Sequence, residues 1–68
     1  MPMYTFVSEA GARQRDDIRW ANLPDHRSAR NYAKLIIREL KELPEYHDPR
    51  LRMIVKTSDG DVIHVIPF

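Results

Sequence analysis

The chain contains no cysteine, which excludes a disulfide framework and a zinc site of the usual thiolate kind. That absence fits a reducing compartment, and the cytoplasm is the expected one. Glycine is almost as scarce: Gly11 and Gly60 are the only two, too few for a phosphate-cradling loop. No apolar run approaches the ~20 residues that a membrane-spanning helix needs. The opening Met1-Pro2-Met3-Tyr4-Thr5 has no basic region followed by an apolar stretch, so no signal peptide is expected. A strong charge of one sign is also missing. Eleven basic and ten acidic residues leave a net charge of +1, without the basic excess of a dedicated nucleic-acid binder. Any such role rests on local clustering.

What is present is one regular amphipathic segment with β-rich stretches on either side. The 68 residues are expected to form one domain, 1–68. A domain this short buries only about 60% of its unfolded surface. Without a disulfide or an evident metal, the natural remaining staple is self-association.

The amphipathic segment spans residues 25–43. Asp25 is a good N-cap, because its carboxylate can accept from the free N–H groups of the first helical turn. Ser28 stands where a capping box would place Glu or Gln. Ala29, Tyr32, Ala33, Ile36, Ile37, Leu40 and Leu43 recur at steps of three and four, which makes one apolar stripe on a helix. Leu35 falls off it. Pro44 stops the helix, because it lacks an N–H and disfavours helical geometry at Leu43. A second stripe is cationic: Arg27, Arg30, Lys34, Arg38 and Lys41 follow steps of three, four, four and three. It is either an ordinary solvated face or a ridge able to track phosphates.

Residues 3–7 alternate, with Tyr4 and Phe6 on one side and Met3, Thr5 and Val7 on the other, and predict a first strand. Residues 9–16 are polar, with Gly11 as the turn residue, and residues 17–23 predict a weaker second strand. After a proline-containing loop, residues 51–57 and 62–68 are the clearest strands. Ser58-Asp59-Gly60 between them suits a three-residue hairpin with a left-handed glycine. That loop pairs Thr57 with Asp61, Val55 with Ile63 and Met53 with Val65. Leu51, Met53, Val55, Ile63 and Val65 then face the helix. The fold class is α+β: β-β-α-β-β, one antiparallel four-stranded sheet with a single helix on one face.

One helix covers only one face of a sheet. On this register the other carries Arg52, Ile54, Lys56, Val62, His64, Ile66 and Phe68. A contiguous apolar patch on a small protein marks an interface. Self-association through this face or a sheet edge is therefore expected, with Ile54, Val62, His64, Ile66 and Phe68 as the oligomer interface, in a homodimer or against another protein. A His64 buried there would weaken assembly on acidification.

Met1-Pro2-x-Tyr4-x-Phe6, Asp17, Leu23-Pro24-Asp25 with Ala29 and Ala33, Asp59-Gly60 and Ile66-Pro67-Phe68 together resemble the pattern of a small bacterial family of uncharacterised domains. The resemblance covers nearly the whole chain and implies a stand-alone, single-domain cytoplasmic protein without recognised catalytic residues. In that family a glycine is common about where Trp20 stands. Leu23-Pro24-Asp25 leading into an alanine-containing helix is also loosely similar to antitoxins of the HicB type.

Catalytic chemistry finds no foothold. Asp16 and Asp17 are adjacent, so on a strand they point to opposite faces instead of across a cleft. His26, His47 and His64 lack a second ligand at metal spacing. Ser8, Ser28 and Ser58 have no activating partner. Asp59-Gly60-Asp61 lacks the distal glutamate of a calcium loop. Tyr4, Phe6 and Trp20 without interleaved cations suit core packing better than base stacking. The expectation is a non-enzymatic interaction module with no catalytic residue, cofactor or metal. Its alternative is an antitoxin-like nucleic-acid accessory protein using Arg27, Arg30, Lys34, Arg38 and Lys41.

Overall fold

Alternating apolar residues, a capped helix and the left-handed Gly60 dictate the chain path. The computed structural model describes residues 2–10 and 14–68, with residues 14–17 as backbone only. The elements are β1 (Met3–Ala10), β2 (Gln14–Asn22), α1 (His26–Leu40), a single 3₁₀ turn (Pro44–Tyr46), β3 (Leu51–Thr57) and β4 (Val62–Pro67). All strand pairs are antiparallel, in the order β2-β1-β3-β4. The expected fold class is the observed one. The strand order was not legible: the chain crosses by way of α1 from the outer strand β2 to β3, beside β1.

Asp25 caps α1 as its chemistry requires. Its backbone is extended, and its carboxylate accepts from the Ser28 N–H at 2.8 Å. The helix ends at Leu40, three residues before the expected limit. Bonds from Glu42 N to Glu39 O (3.3 Å) and Leu43 N to Leu40 O (2.9 Å) tighten the last turn. Leu43 is extended (φ −99°, ψ 131°), the conformation that Pro44 imposes on its predecessor.

The core lies between α1 and the sheet. Ala29 and Ala33 are fully buried and let the helix approach Tyr4, Phe6, Met53 and Val55, with Ile36 and Ile37 filling the flanks. Phe6 meets Tyr32 edge-to-face at 5.2 Å, and Tyr4 meets the His26 ring at 5.8 Å. Tyr4 and Phe6 thus face the helix as their alternation predicts.

Each hairpin contains a bulge, and both were invisible to simple alternation. In the first, Phe6 pairs with Arg19 and Val7 with Asp17, which leaves Ile18 extra. This hairpin is longer than expected: β1 continues to Ala10 and β2 begins at Gln14, so Asp16 lies in a strand, not in the turn segment. The turn expected at Gly11 lies outside the described residues. In the second hairpin the turn is as expected. Thr57 N donates to Asp61 O at 2.8 Å, Gly60 N donates to Thr57 O at 2.9 Å, and Gly60 has φ 89°. One step later the register departs. Lys56 pairs with Val62 but Val55 pairs with His64, so Ile63 is extra.

That extra residue inverts the facing of the rest of β4. Ile63 and His64 both lie toward the helix, because a bulge sets two residues against one. Ile66 and Phe68 follow and pack against the core, and Val65 turns away beside Ile54. His64, Ile66 and Phe68 are therefore not on the open face, contrary to the uninterrupted register. His64 is held by a 2.9 Å bond to the His26 carbonyl. A carbonyl only accepts, so His64 Nε2 carries the proton. Phe68 stacks on Tyr46 with centroids 6.3 Å apart and planes 12° from parallel.

Candidate interaction surfaces

Two surfaces remain once the core is accounted for, and they lie on opposite layers. The first is the sheet face away from α1. The register sets two rows across it: Trp20, Thr5, Lys56 and Val62, then residue 17, Val7, Ile54 and Val65. Val7 and Ile54 at its centre are buried, while Trp20 is 68% exposed, Val62 53% and Val65 50%. Met3, at one end, is 40% exposed. The other two exposed large hydrophobics among the described residues, Leu35 and Leu43, lie apart on the helix and its following loop. At the far end, Glu9 and Arg52 approach to 3.8 Å. The face thus mixes apolar side chains with Thr5 and Lys56, which lie between Trp20 and Val62, and carries charges of both signs.

Of the five residues assigned to an interface from the sequence, the structure leaves Ile54 and Val62 on this face and moves His64, Ile66 and Phe68 behind it. Sequence reasoning missed Met3, Val65 and above all Trp20. Met3 and Thr5 had been placed opposite Tyr4 and Phe6, so the pairing of β1 with β2 would have exposed Trp20, had the Ile18 bulge been foreseen.

The sheet edges are less suited to pairing than the face. Both outer strands, β2 and β4, carry a bulge. Phe68 N points inward to Leu51 O at 3.2 Å. By alternation, Pro67 occupies an outward position, where it has no N–H to offer a further strand.

The second surface is the cationic flank of α1. Arg27, Arg30, Lys34, Arg38 and Lys41 are all exposed, and none joins an ion pair among the described residues. The neighbouring acid Glu39 turns the other way, toward Arg19 at 3.6 Å. Arg19 also donates to the Tyr32 hydroxyl at 3.2 Å, and these two neighbours raise its pKa, Tyr32 more than Glu39. The β2 side of the helix is thereby neutralised, and the cations keep the other flank.

The histidines are occupied singly. His26 packs on Tyr4, His64 bonds the His26 carbonyl, and His47 Nε2 bonds the Lys41 carbonyl at 2.7 Å. No group of three metal-ligating side chains occurs among the described residues. A shallow cavity of about 250 Å³ lies beside the helix C-terminus, lined by Lys41, Tyr46, His47, Asp48, Pro49 and Phe68. Its one acid, Asp48, is held by Arg50 through a 2.9 Å ion pair and a 2.8 Å backbone bond, which lower its pKa. No helix among the described residues is long and apolar enough to cross a membrane.

No protein-family model, curated protein or solved structure matches the chain. The functional reading therefore stands on these surfaces.

Proposed function

We propose that this chain is a non-enzymatic interaction module that pairs with a second copy of itself through the open face of its sheet. One observation carries the reading: four of the six exposed large hydrophobics among the described residues, Met3, Trp20, Val62 and Val65, share that face. The area is adequate. The molecule extends 33 by 23 Å in its two long directions, so a face of this shape offers on the order of 700 Å², close to the ~800 Å² per partner of a standard interface. A second copy is the favoured occupant because the face bears both charge signs, Glu9 against Arg52 and Lys56, and can complement itself about a two-fold axis. The cytoplasm is the compartment that a cysteine-free chain suits.

The test is light scattering across a concentration series, read together with the emission of Trp20, the only tryptophan. A dimer mass with emission shifting blue on association supports the proposal. A monomer mass at hundreds of micromolar, or a dimer in which Trp20 keeps the emission of a solvated indole, refutes it.

A further inference from the structure

We infer that the cationic flank of α1 is a docking surface for the phosphate backbone of a nucleic-acid duplex. This does not rest on self-association, because the flank and the open sheet face belong to different layers. At about 100° per residue, Arg27, Arg30, Lys34, Arg38 and Lys41 fall within an arc of roughly 80°. At ~1.5 Å per residue they make a ridge about 21 Å long. Of the nearby acids, Glu39 and Glu42 lie outside that arc, Glu39 is engaged by Arg19, and the N-cap Asp25 acts only on the Arg27 end of the ridge. With five of the eleven basic residues on the ridge, six remain elsewhere against all ten acidic ones. The +1 net charge thus conceals a polarised molecule: a positive ridge on a negative body.

The chemistry of the ridge selects the partner. Three of its five cations are arginines, whose planar forks bond phosphate oxygens in pairs. A duplex presents one charge per ~1.7 Å, or about twelve phosphates over the length of the ridge. Among the described residues the flank has no exposed Phe, Tyr or Trp for stacking unpaired bases; Trp20 lies on the opposite layer. A duplex is therefore favoured over a single strand. A membrane surface is disfavoured because the apolar stripe of α1, Ala29, Ala33, Ile36 and Ile37, is already buried in the core and cannot enter a lipid interface. Recognition is of backbone, without base readout.

The experiment is fluorescence polarisation with labelled 20-base-pair DNA and RNA duplexes, the matching single strands, and anionic phospholipid vesicles as a separate arm. The salt concentration runs from 50 to 200 mM. If all five cations meet phosphates, the log–log slope is about −4.5, so affinity falls roughly 500-fold over that range. Arg38→Gln should lower the slope by about 0.9. The triple variant R30E/K34E/R38E, whose fold is checked by circular dichroism, should not bind at 50 mM salt. The DNA and RNA arms distinguish the two sources of the backbone. The proposal is overturned by no duplex binding at 50 mM salt, by tighter binding of single strands, by binding confined to vesicles, or by a folded triple variant that binds like the parent.

Discussion

Val65 and Ile66 are neighbours in the chain, and the bulge at Ile63 gives them opposite fates on substitution by aspartate. Ile66 packs against the core. Ile66 is partly buried, so Ile66→Asp removes part of the ~1.5–3 kcal/mol of a fully buried isoleucine and sets a partly solvated carboxylate against apolar side chains, at a further cost of about 1–3 kcal/mol. The whole domain has about 3–10 kcal/mol to lose, at ~0.05–0.15 kcal/mol per residue. Ile66→Asp should therefore lose much of the domain's stability, with a urea midpoint far below that of the parent. Val65 is 50% exposed on the open face. Val65→Asp should cost the monomer about 1 kcal/mol or less, keep the far-ultraviolet dichroism of the parent, and abolish self-association. Circular dichroism in urea is the assay for folding, since Trp20 is too exposed to report it, and light scattering is the assay for mass. An uninterrupted hairpin register demands the reverse: a strongly destabilised Val65→Asp and a folded, monomeric Ile66→Asp. That outcome would refute both the bulge and the interface built on it.

Three further outcomes follow from local geometry. Gly60 has φ 89° with open space where a side chain would go, so Gly60→Ala should destabilise by about 1–2 kcal/mol from backbone strain alone, and an unchanged urea midpoint would contradict the left-handed turn. Asp25 and Asp48 have lowered pKa values, the first mainly from the Ser28 backbone N–H and the second mainly from the Arg50 side chain. Their stabilisation should be complete above the unfolded carboxyl value near pH 4 and be lost as the pH falls through the lower folded values. Thermal melts between pH 2 and 7 should show a shallower acid limb in the Asp25→Ala/Asp48→Ala variant, and limbs of equal steepness would count against these contacts. Phe6 and Tyr32 meet at 5.2 Å edge-to-face, so a cycle of Phe6→Leu and Tyr32→Leu should give a coupling of about 0.5–1.5 kcal/mol, whereas additive losses would rule the ring pair out.

The parts of this fold legible in the sequence are those governed by neighbours in the chain. Asp25, Pro44 and the Ser58-Asp59-Gly60 turn act within a few residues, and each does what its chemistry predicts. The apolar stripe of α1 was legible because a period of 3.6 tolerates small errors in its limits. A strand has no such tolerance, since one extra residue moves every later side chain to the other face. Ile63 is that residue in β4, and Ile18 is its counterpart in β2. Neither has a local signature: no glycine or proline marks either position, and the bulge at Ile63 is favoured by distant contacts, such as the bond from His64 to the His26 carbonyl. The same error misassigned the interface. Reading β4 without its bulge exposed His64, Ile66 and Phe68 and hid Val65, and reading Trp20 as core hid the largest exposed side chain of the open face.

The cationic ridge escaped this error because it lies wholly on one helix, whose side-chain directions follow from spacing alone. What the sequence withheld there was the partner of Glu39. Glu39 is one residue from Arg38, about 100° around the helix, so spacing alone sets it to one side of the ridge. Arg19 holds it there, and Arg19 reaches Glu39 only because β2 runs beside β1 with the Ile18 bulge. The bulge that turns Arg19 toward the helix also leaves Trp20 facing away from it. One irregularity in β2 thus bears on both surfaces. It directs Arg19 to Glu39, which neutralises the β2 side of the helix, and it directs Trp20 to the open face, which supplies the largest apolar side chain there.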